Sequence, residues 1–241
     1  MMSQVNVDAR LYPKRSSDRY YVLVKLRNCL ETQIRKYVEP LSQARAKQVK
    51  ILDFGCGDMP YRSLFTPLIS EYIGADIAGQ DEDKNSKIKI DPLTGNVPLR
   101  DKAVDIVLST QVLEHVLDPK AYLYEAKRVC KEDGVLLLST HGIWKYHAVP
   151  DDYWRWTAPG LRKLLDETGW IVVDMSGILG FSASALLLFQ DALLSKLRRF
   201  MFRKAIIFVI HQMVGLLDLL YSDEERLENA SVYFVVAKPK V

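Results

Sequence analysis

Apolar residues recur along this chain at two spacings, and the switches between them lay out its architecture. From Leu23, the positions Leu26, Leu30, Ile34, Tyr37 and Leu41 fall every three or four residues, the stripe of an amphipathic helix packed on a core. Residues 42–48 are polar, and Val49 to Phe54 then reads as a buried strand running into a glycine turn. Tyr72 to Asp76, Ser86 to Ile90 and Val104 to Ser109 are further strands. Asp118 and Pro119 open a helix whose inner face is Leu123, Ala126, Val129 and Cys130, and Gly134 is expected to stop it before the strand Val135 to Ser139. Thr157 and Pro159 start a helix that Gly169 ends, with Leu161, Leu164 and Leu165 inward, and a strand from Trp170 to Met175 follows. A long helical region from Ser182 to Leu220 precedes a last strand, Ser231 to Ala237.

Strands alternating with helices predict an α/β fold: a Rossmann-like, doubly wound sheet of about seven strands, mostly parallel with an antiparallel last strand. The expected organisation is a helical N-terminal cap (1–48), an α/β core (49–181), a helical insertion (182–229) and the last strand with its tail (230–241). Ligands of such sheets lie above the carboxyl ends of the strands.

Composition narrows the class. The chain has 241 residues, 49% apolar and 26% charged, enough for one sizeable core. Its 33 basic and 30 acidic residues leave a net charge of +3, too balanced for a surface that tracks phosphates, so no nucleic-acid partner is expected. Cys29, Cys56 and Cys130 form neither a disulfide framework nor a metal-binding pair, which suits a reducing cytoplasm. Met1 to Arg15 lacks the apolar core of a secretory leader, and the most apolar run, Ala205 to Leu217, is too short to span a bilayer.

The chemistry concentrates at strand ends. In Asp53-Phe54-Gly55-Cys56-Gly57-Asp58 the glycines let the backbone approach a ligand closely. Pro60 stands where a dinucleotide fingerprint has its third glycine, and Asp53 sits poorly beside a diphosphate, so the cationic amino-acid end of S-adenosylmethionine suits this turn better. Asp76, beside Ile77, can accept hydrogen bonds from ribose hydroxyls of either NAD or S-adenosylmethionine.

Asp53-Phe54-Gly55-Cys56-Gly57 resembles motif I of class I S-adenosylmethionine-dependent methyltransferases, and the similarity runs from about Val49 to Met175. Gln111-Val112-Leu113-Glu114-His115 resembles the Leu-Glu-His signature of the type 11 branch, and the loop from His147 to Thr157 resembles a His-x-x-Pro-x-Asp-Tyr-x-Arg-x-Thr pattern of that branch. The resemblance implies S-adenosylmethionine as cofactor, held by Asp53, Gly55, Cys56, Gly57, Asp76, Ile77, Asp91, Gln111 and His115. Asp91 is either the partner of the adenine amino group or a turn residue before Pro92, and His115 either lies near the cofactor or caps a helix.

His141 is the first candidate for a general base, with His147 and Asp152 as further catalytic candidates. Tyr153, Trp154 and Arg155 are candidate acceptor-binding residues, although an Arg155–Asp152 ion pair could serve only to shape the loop. The spacing of His141, His147, Asp151 and Asp152 fits no strong metal motif, so no metal is expected. The absence of an Asn-Pro-Pro-Tyr stretch and of a Pro-Cys pair disfavours amino-group and covalent-cysteine chemistry. The expected reaction is methyl transfer to an oxygen of a sugar, a glycan or a small metabolite. The rival readings are an NAD-dependent oxidoreductase and a non-catalytic binding module. Residues 186–220, apolar and locally basic, could cover the core, touch a membrane peripherally or pair two copies.

Overall fold

The structure is a computed structural model describing residues 7–77, 87–148, 151–197 and 200–241. Ser86, Pro150, Arg198 and Arg199, and the first six residues of the stretch read as lacking a leader, lie outside the described residues.

In chain order, α1 (Val7–Leu11) and α2 (Tyr20–Gln33) are followed by a π-helical turn, Ile34–Val38, and α3 (Glu39–Ala44). The π turn takes up the irregularity introduced by Pro40, which has no backbone N–H to donate. Next come β1 (Lys50–Phe54), α4 (Arg62–Phe65), β2 (Glu71–Asp76), β3 (Lys87–Lys89), β4 (Val104–Thr110), α5 (Pro119–Val129) and β5 (Cys130–His141). Then α6 (Ala158–Glu167), β6 (Trp170–Ile178), α7 (Phe181–Lys196), α8 (Phe200–Asp218), α9 (Asp223–Glu228) and β7 (Val232–Pro239) complete the chain.

The strands form one seven-stranded sheet in the order β3-β2-β1-β4-β5-β7-β6. β1 to β5 pair in parallel and β7 runs antiparallel to both of its neighbours, as the alternating pattern predicts. Both faces of the sheet are covered, which is why its central strands are continuously apolar. Leu52, Phe54, Val107 and Leu136 face Leu123 and Ala126 of α5 and Leu161 and Leu165 of α6. Ile51, Ile106, Leu108 and Leu137 face Leu26 and Leu30 of α2, Leu187 of α7 and Val214 of α8. Residues Leu11 to Val38 and the helices α7 and α8 therefore supply one wall of the core.

Asp118 caps α5 by accepting from Lys120 N at 2.9 Å and Ala121 N at 3.1 Å, and Thr157 caps α6 through Gly160 N at 3.2 Å. One boundary differs from expectation. α5 stops at Val129 rather than running on towards Gly134, because Cys130 already pairs with Val104 of β4 and begins β5. Gly134 lies inside the strand, where a Cβ would come within 2.6 Å of the Asp105 carbonyl oxygen. Asp105, fully buried at the start of β4, accepts from Lys50 N at 2.8 Å and Lys131 Nζ at 2.7 Å and pairs with Arg45, which ties the N-terminal helices to the sheet.

Candidate active site

The carboxyl ends of β1, β2, β4 and β5 meet at one edge of the sheet. Gly55 and Gly57 have φ of +80° and +48°, a backbone region glycine adopts without strain. Their surroundings differ. A Cβ on Gly55 would lie 2.6 Å from both methyl carbons of Val112, whereas nothing stands within 4 Å of one on Gly57. The turn is thus closed behind Gly55 and open above Gly57, a cradle that a cofactor chain can enter. Gly57 N donates to Asp76 Oδ2 at 2.8 Å and Ile77 N to Oδ1 at 2.8 Å, so the expected ribose partner is anchored against the turn. Ile77 is exposed and Cys56 buried.

Asp53, expected at the amino-acid end of the cofactor, is buried and accepts a 2.6 Å hydrogen bond from the Tyr72 hydroxyl. Asp91 is exposed, and its carboxylate accepts from Leu93 N at 2.8 Å and Thr94 N at 3.3 Å, which holds its pKa below the usual carboxylate value. The turn role is the one visible in the fold, although Asp91 also lines a surface cavity of about 440 Å³ with Lys89, Pro92 and Asn96. Gln111 directly follows β4 with φ of +57° and donates from Nε2 to Ser139 Oγ at 3.1 Å. A glutamine in this region is strained and persists only where its surroundings fix it.

At the end of β5 the structure adds a residue that the sequence reading left out. Glu114 is fully buried, accepts from Thr140 Oγ1 at 2.8 Å, and places Oε1 2.9 Å from His141 Nδ1. Those last two atoms lie within ion-pair distance, and neither has a further hydrogen-bond partner among the described residues. Burial opposes the charge on Glu114, but His141 and Thr140 outweigh it and hold the carboxyl below its ordinary pKa. His141 is the last residue of β5, stacked on Trp144 with centroids 4.7 Å apart and edge-on to His147 at 5.1 Å. His147 in turn lies 5.0 Å from the His115 ring.

The loop after β5 is held by Arg155. Its Nε donates to Trp144 O at 3.0 Å, one terminal nitrogen to Asp152 Oδ1 at 2.6 Å and Trp154 O at 2.7 Å, and the other to Lys145 O at 2.6 Å and Asp152 Oδ2 at 2.5 Å. A guanidinium has five N–H donors, and every one is used within the loop. Asp152 also accepts from His147 N at 2.7 Å; burial would raise its pKa, yet Arg155 and this N–H hold it well below the carboxylate range. Arg155 is therefore a loop staple rather than a free hydrogen-bonding group for an acceptor, and Asp152 is its counterion rather than an open base. Tyr153, Trp154 and Tyr146 remain exposed, with the Trp154 indole donating to Val116 O at 2.8 Å. Among the described residues, no cluster of three or more His, Cys, Asp or Glu is arranged to hold a metal ion.

A family model described as a methyltransferase domain matches residues 26–174, more than half of the chain. The chain belongs to that family. It is a class I S-adenosylmethionine-dependent methyltransferase domain with S-adenosylmethionine as its cofactor, and the NAD-oxidoreductase reading of the glycine turn lapses. Similar proteins include a ubiquinone biosynthesis O-methyltransferase of Pelagibacter ubique, 26% identical over 125 residues, which are 48% of this chain and 52% of that protein. A probable S-adenosylmethionine-dependent methyltransferase of Mycolicibacterium smegmatis is 33% identical over 98 residues, 37% of each chain. The chain thus spans about half, or less, of the length of these methyltransferases. A SAM-dependent methyltransferase from Archaeoglobus fulgidus shares the fold, with a TM-score of 0.53 at 18% identity, over 96% of this chain and 97% of that one.

Proposed function

We propose that this methyltransferase domain methylates a hydroxyl oxygen of a small acceptor, with His141 as general base, Glu114 as the carboxylate that orients it, and the exposed aromatics of the 144–156 loop as the acceptor surface. The observation that carries the reading is the 2.9 Å contact between His141 and the buried Glu114 at the carboxyl end of the strand beside β4. A carboxylate beside Nδ1 favours the tautomer protonated there and leaves Nε2 as the basic nitrogen.

The cofactor, when bound, supplies an already activated methyl group. The open space above Gly57 and the carboxylate of Asp76 suit its amino-acid and ribose portions. His141 takes the acceptor's proton, and the loop orients the acceptor.

A hydroxyl on an aromatic ring fits this surface better than a sugar. Carbohydrate recognition needs free polar side chains around the aromatic faces, and Arg155 and Asp152, the loop's strongest candidates, are consumed by each other and by backbone groups. Tyr153 and Trp154 keep their exposure. The O-methyltransferase named among the similar proteins supports an oxygen acceptor. The decisive experiment incubates the purified chain with methyl-labelled S-adenosylmethionine and a panel of phenols, catechols, free sugars and primary amines. Label in phenolic methyl ethers is expected. Transfer to amines alone, or cofactor binding with no transfer to any hydroxyl, would overturn the proposal.

A further inference from the structure

α7 and α8 pack on each other and on the sheet through Ala183, Leu187, Ile210 and Val214, but their outer faces are also apolar. On α8 and the turn that follows it, Phe202, Phe208, Val209, Met213, Leu216 and Leu219 are each between 47% and 76% exposed. At 3.6 residues per turn they fall within an arc of about 140°, so they share one outward face, and Leu220 continues it. Phe181 and Phe189 of α7 are exposed as well. Isolated exposed apolar side chains are ordinary; a continuous face is not, and marks an interaction surface.

Charge identifies the occupant. Between Asp191 and Asp218 the sequence holds no acidic residue and five basic ones, Lys196, Arg198, Arg199, Arg203 and Lys204, in a chain whose net charge is only +3. An apolar face on so basic a segment matches an anionic lipid surface, where apolar side chains enter the headgroup boundary and basic ones meet the phosphates. A second copy of the chain fits less well. At the other end of the hairpin Asp218 already pairs with Lys25 and, at 3.3 Å, with Arg226; Asp223 pairs with Arg226 at 2.8 Å; and Glu225 caps α9. These acids are engaged within the chain and are poor partners for the basic residues of another copy. Among the described residues no helix is long and apolar enough to cross a membrane.

We infer that the outer face of the α7–α8 hairpin docks on an anionic lipid bilayer. The hairpin is joined to the reaction end of the fold: α7 starts just beyond the carboxyl end of β6, and its Asp191 accepts from Arg19 at 2.9 Å and lies 3.3 Å from Lys145 of the acceptor loop. Docking would bring that loop close to molecules dissolved in the membrane, but the inference stands on the face itself, whichever acceptor is used.

The test is flotation of the full chain with vesicles of phosphatidylglycerol and phosphatidylcholine, against phosphatidylcholine alone. The protein should float with the anionic vesicles only and be released by high salt. The double variant Met213→Glu, Leu216→Glu changes exposed side chains, so its thermal melt should match the parent while flotation falls at least about tenfold. Lys196→Glu should weaken flotation with the melt unchanged. Failure of the parent to float, or equal flotation of the double variant, would overturn the inference. So would light scattering showing a lipid-free dimer that the double variant converts to a monomer, since the face would then belong to a second copy.

Discussion

His141 and Glu114 approach one another from different strand ends, with Nδ1 and Oε1 2.9 Å apart and the carboxylate fully buried. If the imidazole is the base, His141→Ala should lower kcat by about 10²–10⁴-fold, the usual contribution of general-base catalysis. Glu114→Gln keeps the shape but removes the orienting charge, so its kcat should fall by a smaller factor. In both variants, calorimetric titration should show S-adenosylmethionine affinity unchanged. A full rate in His141→Ala would move the proton to another group.

The two glycines of the turn should fail in different ways. Gly55→Ala drives a methyl into Val112 at positive φ, and the resulting strain should lower the unfolding free energy by more than the ~1–2 kcal/mol of the backbone conformation alone. At Gly57 the added methyl meets no protein atom, so Gly57→Ala should cost only about that backbone amount while weakening cofactor binding. Urea denaturation and calorimetric titration, run on both variants, separate the two outcomes.

Arg155→Lys retains a charge but not the planar fork. Loss of most of its loop hydrogen bonds should destabilise the protein by about 1–3 kcal/mol and raise the acceptor KM, with cofactor affinity intact. An unchanged melting temperature would show that the loop is held by other means.

Trp154→Ala and Tyr153→Ala remove the exposed aromatic faces. Each should raise the acceptor KM several-fold, the effect of losing one stacking contact of ~0.5–1.5 kcal/mol, and leave the dissociation constant of S-adenosylmethionine in place. Variants that lose only cofactor affinity would relocate the acceptor surface.

Stability should depend on pH through His147. Burial, with His141 and His115 nearby, holds its pKa below the ordinary histidine value. As pH falls through about 6.5 the unfolded chain takes up a proton that the folded chain still refuses, so stability declines towards the lower folded pKa. Asp152 acts in a separate window. Its depressed pKa stabilises the fold above the usual carboxylate range, and that contribution is lost only in stronger acid. Urea midpoints between neutral pH and pH 5 should therefore fall in the parent and fall less steeply in His147→Gln, the remainder coming from His211, whose pKa burial also lowers.

Most of the fold was legible because its strands are buried on both faces and its helices carry caps, as Asp118 and Thr157 do. The end of α5 was not. Lys131-Glu132-Asp133 has no strand character of its own, and pairing of Cys130 with Val104 is what draws the segment into the sheet. The glycine turn and Asp76 were readable as local motifs. Glu114 was hidden inside its own signature, since a carboxylate in Leu-Glu-His gains meaning only when Thr140 and His141 arrive from a strand more than twenty residues later. The ion pair of Arg155 with Asp152 could be read from its spacing of three, whereas its bonds to the Trp144 and Lys145 carbonyls depend on how the loop closes.

The direct passage from Val129 into Cys130 makes the chain count. With no residue between helix and strand, the 12 residues of β5 measure out where His141 stands. Successive strand side chains point to opposite faces, so inserting or deleting a single residue between Gly134 and Thr140 would move His141 about 3.3 Å along the strand and onto the other face. Length can vary in the α7–α8 hairpin without moving that ring. Along Cys130–His141 the number of residues is itself part of the active site.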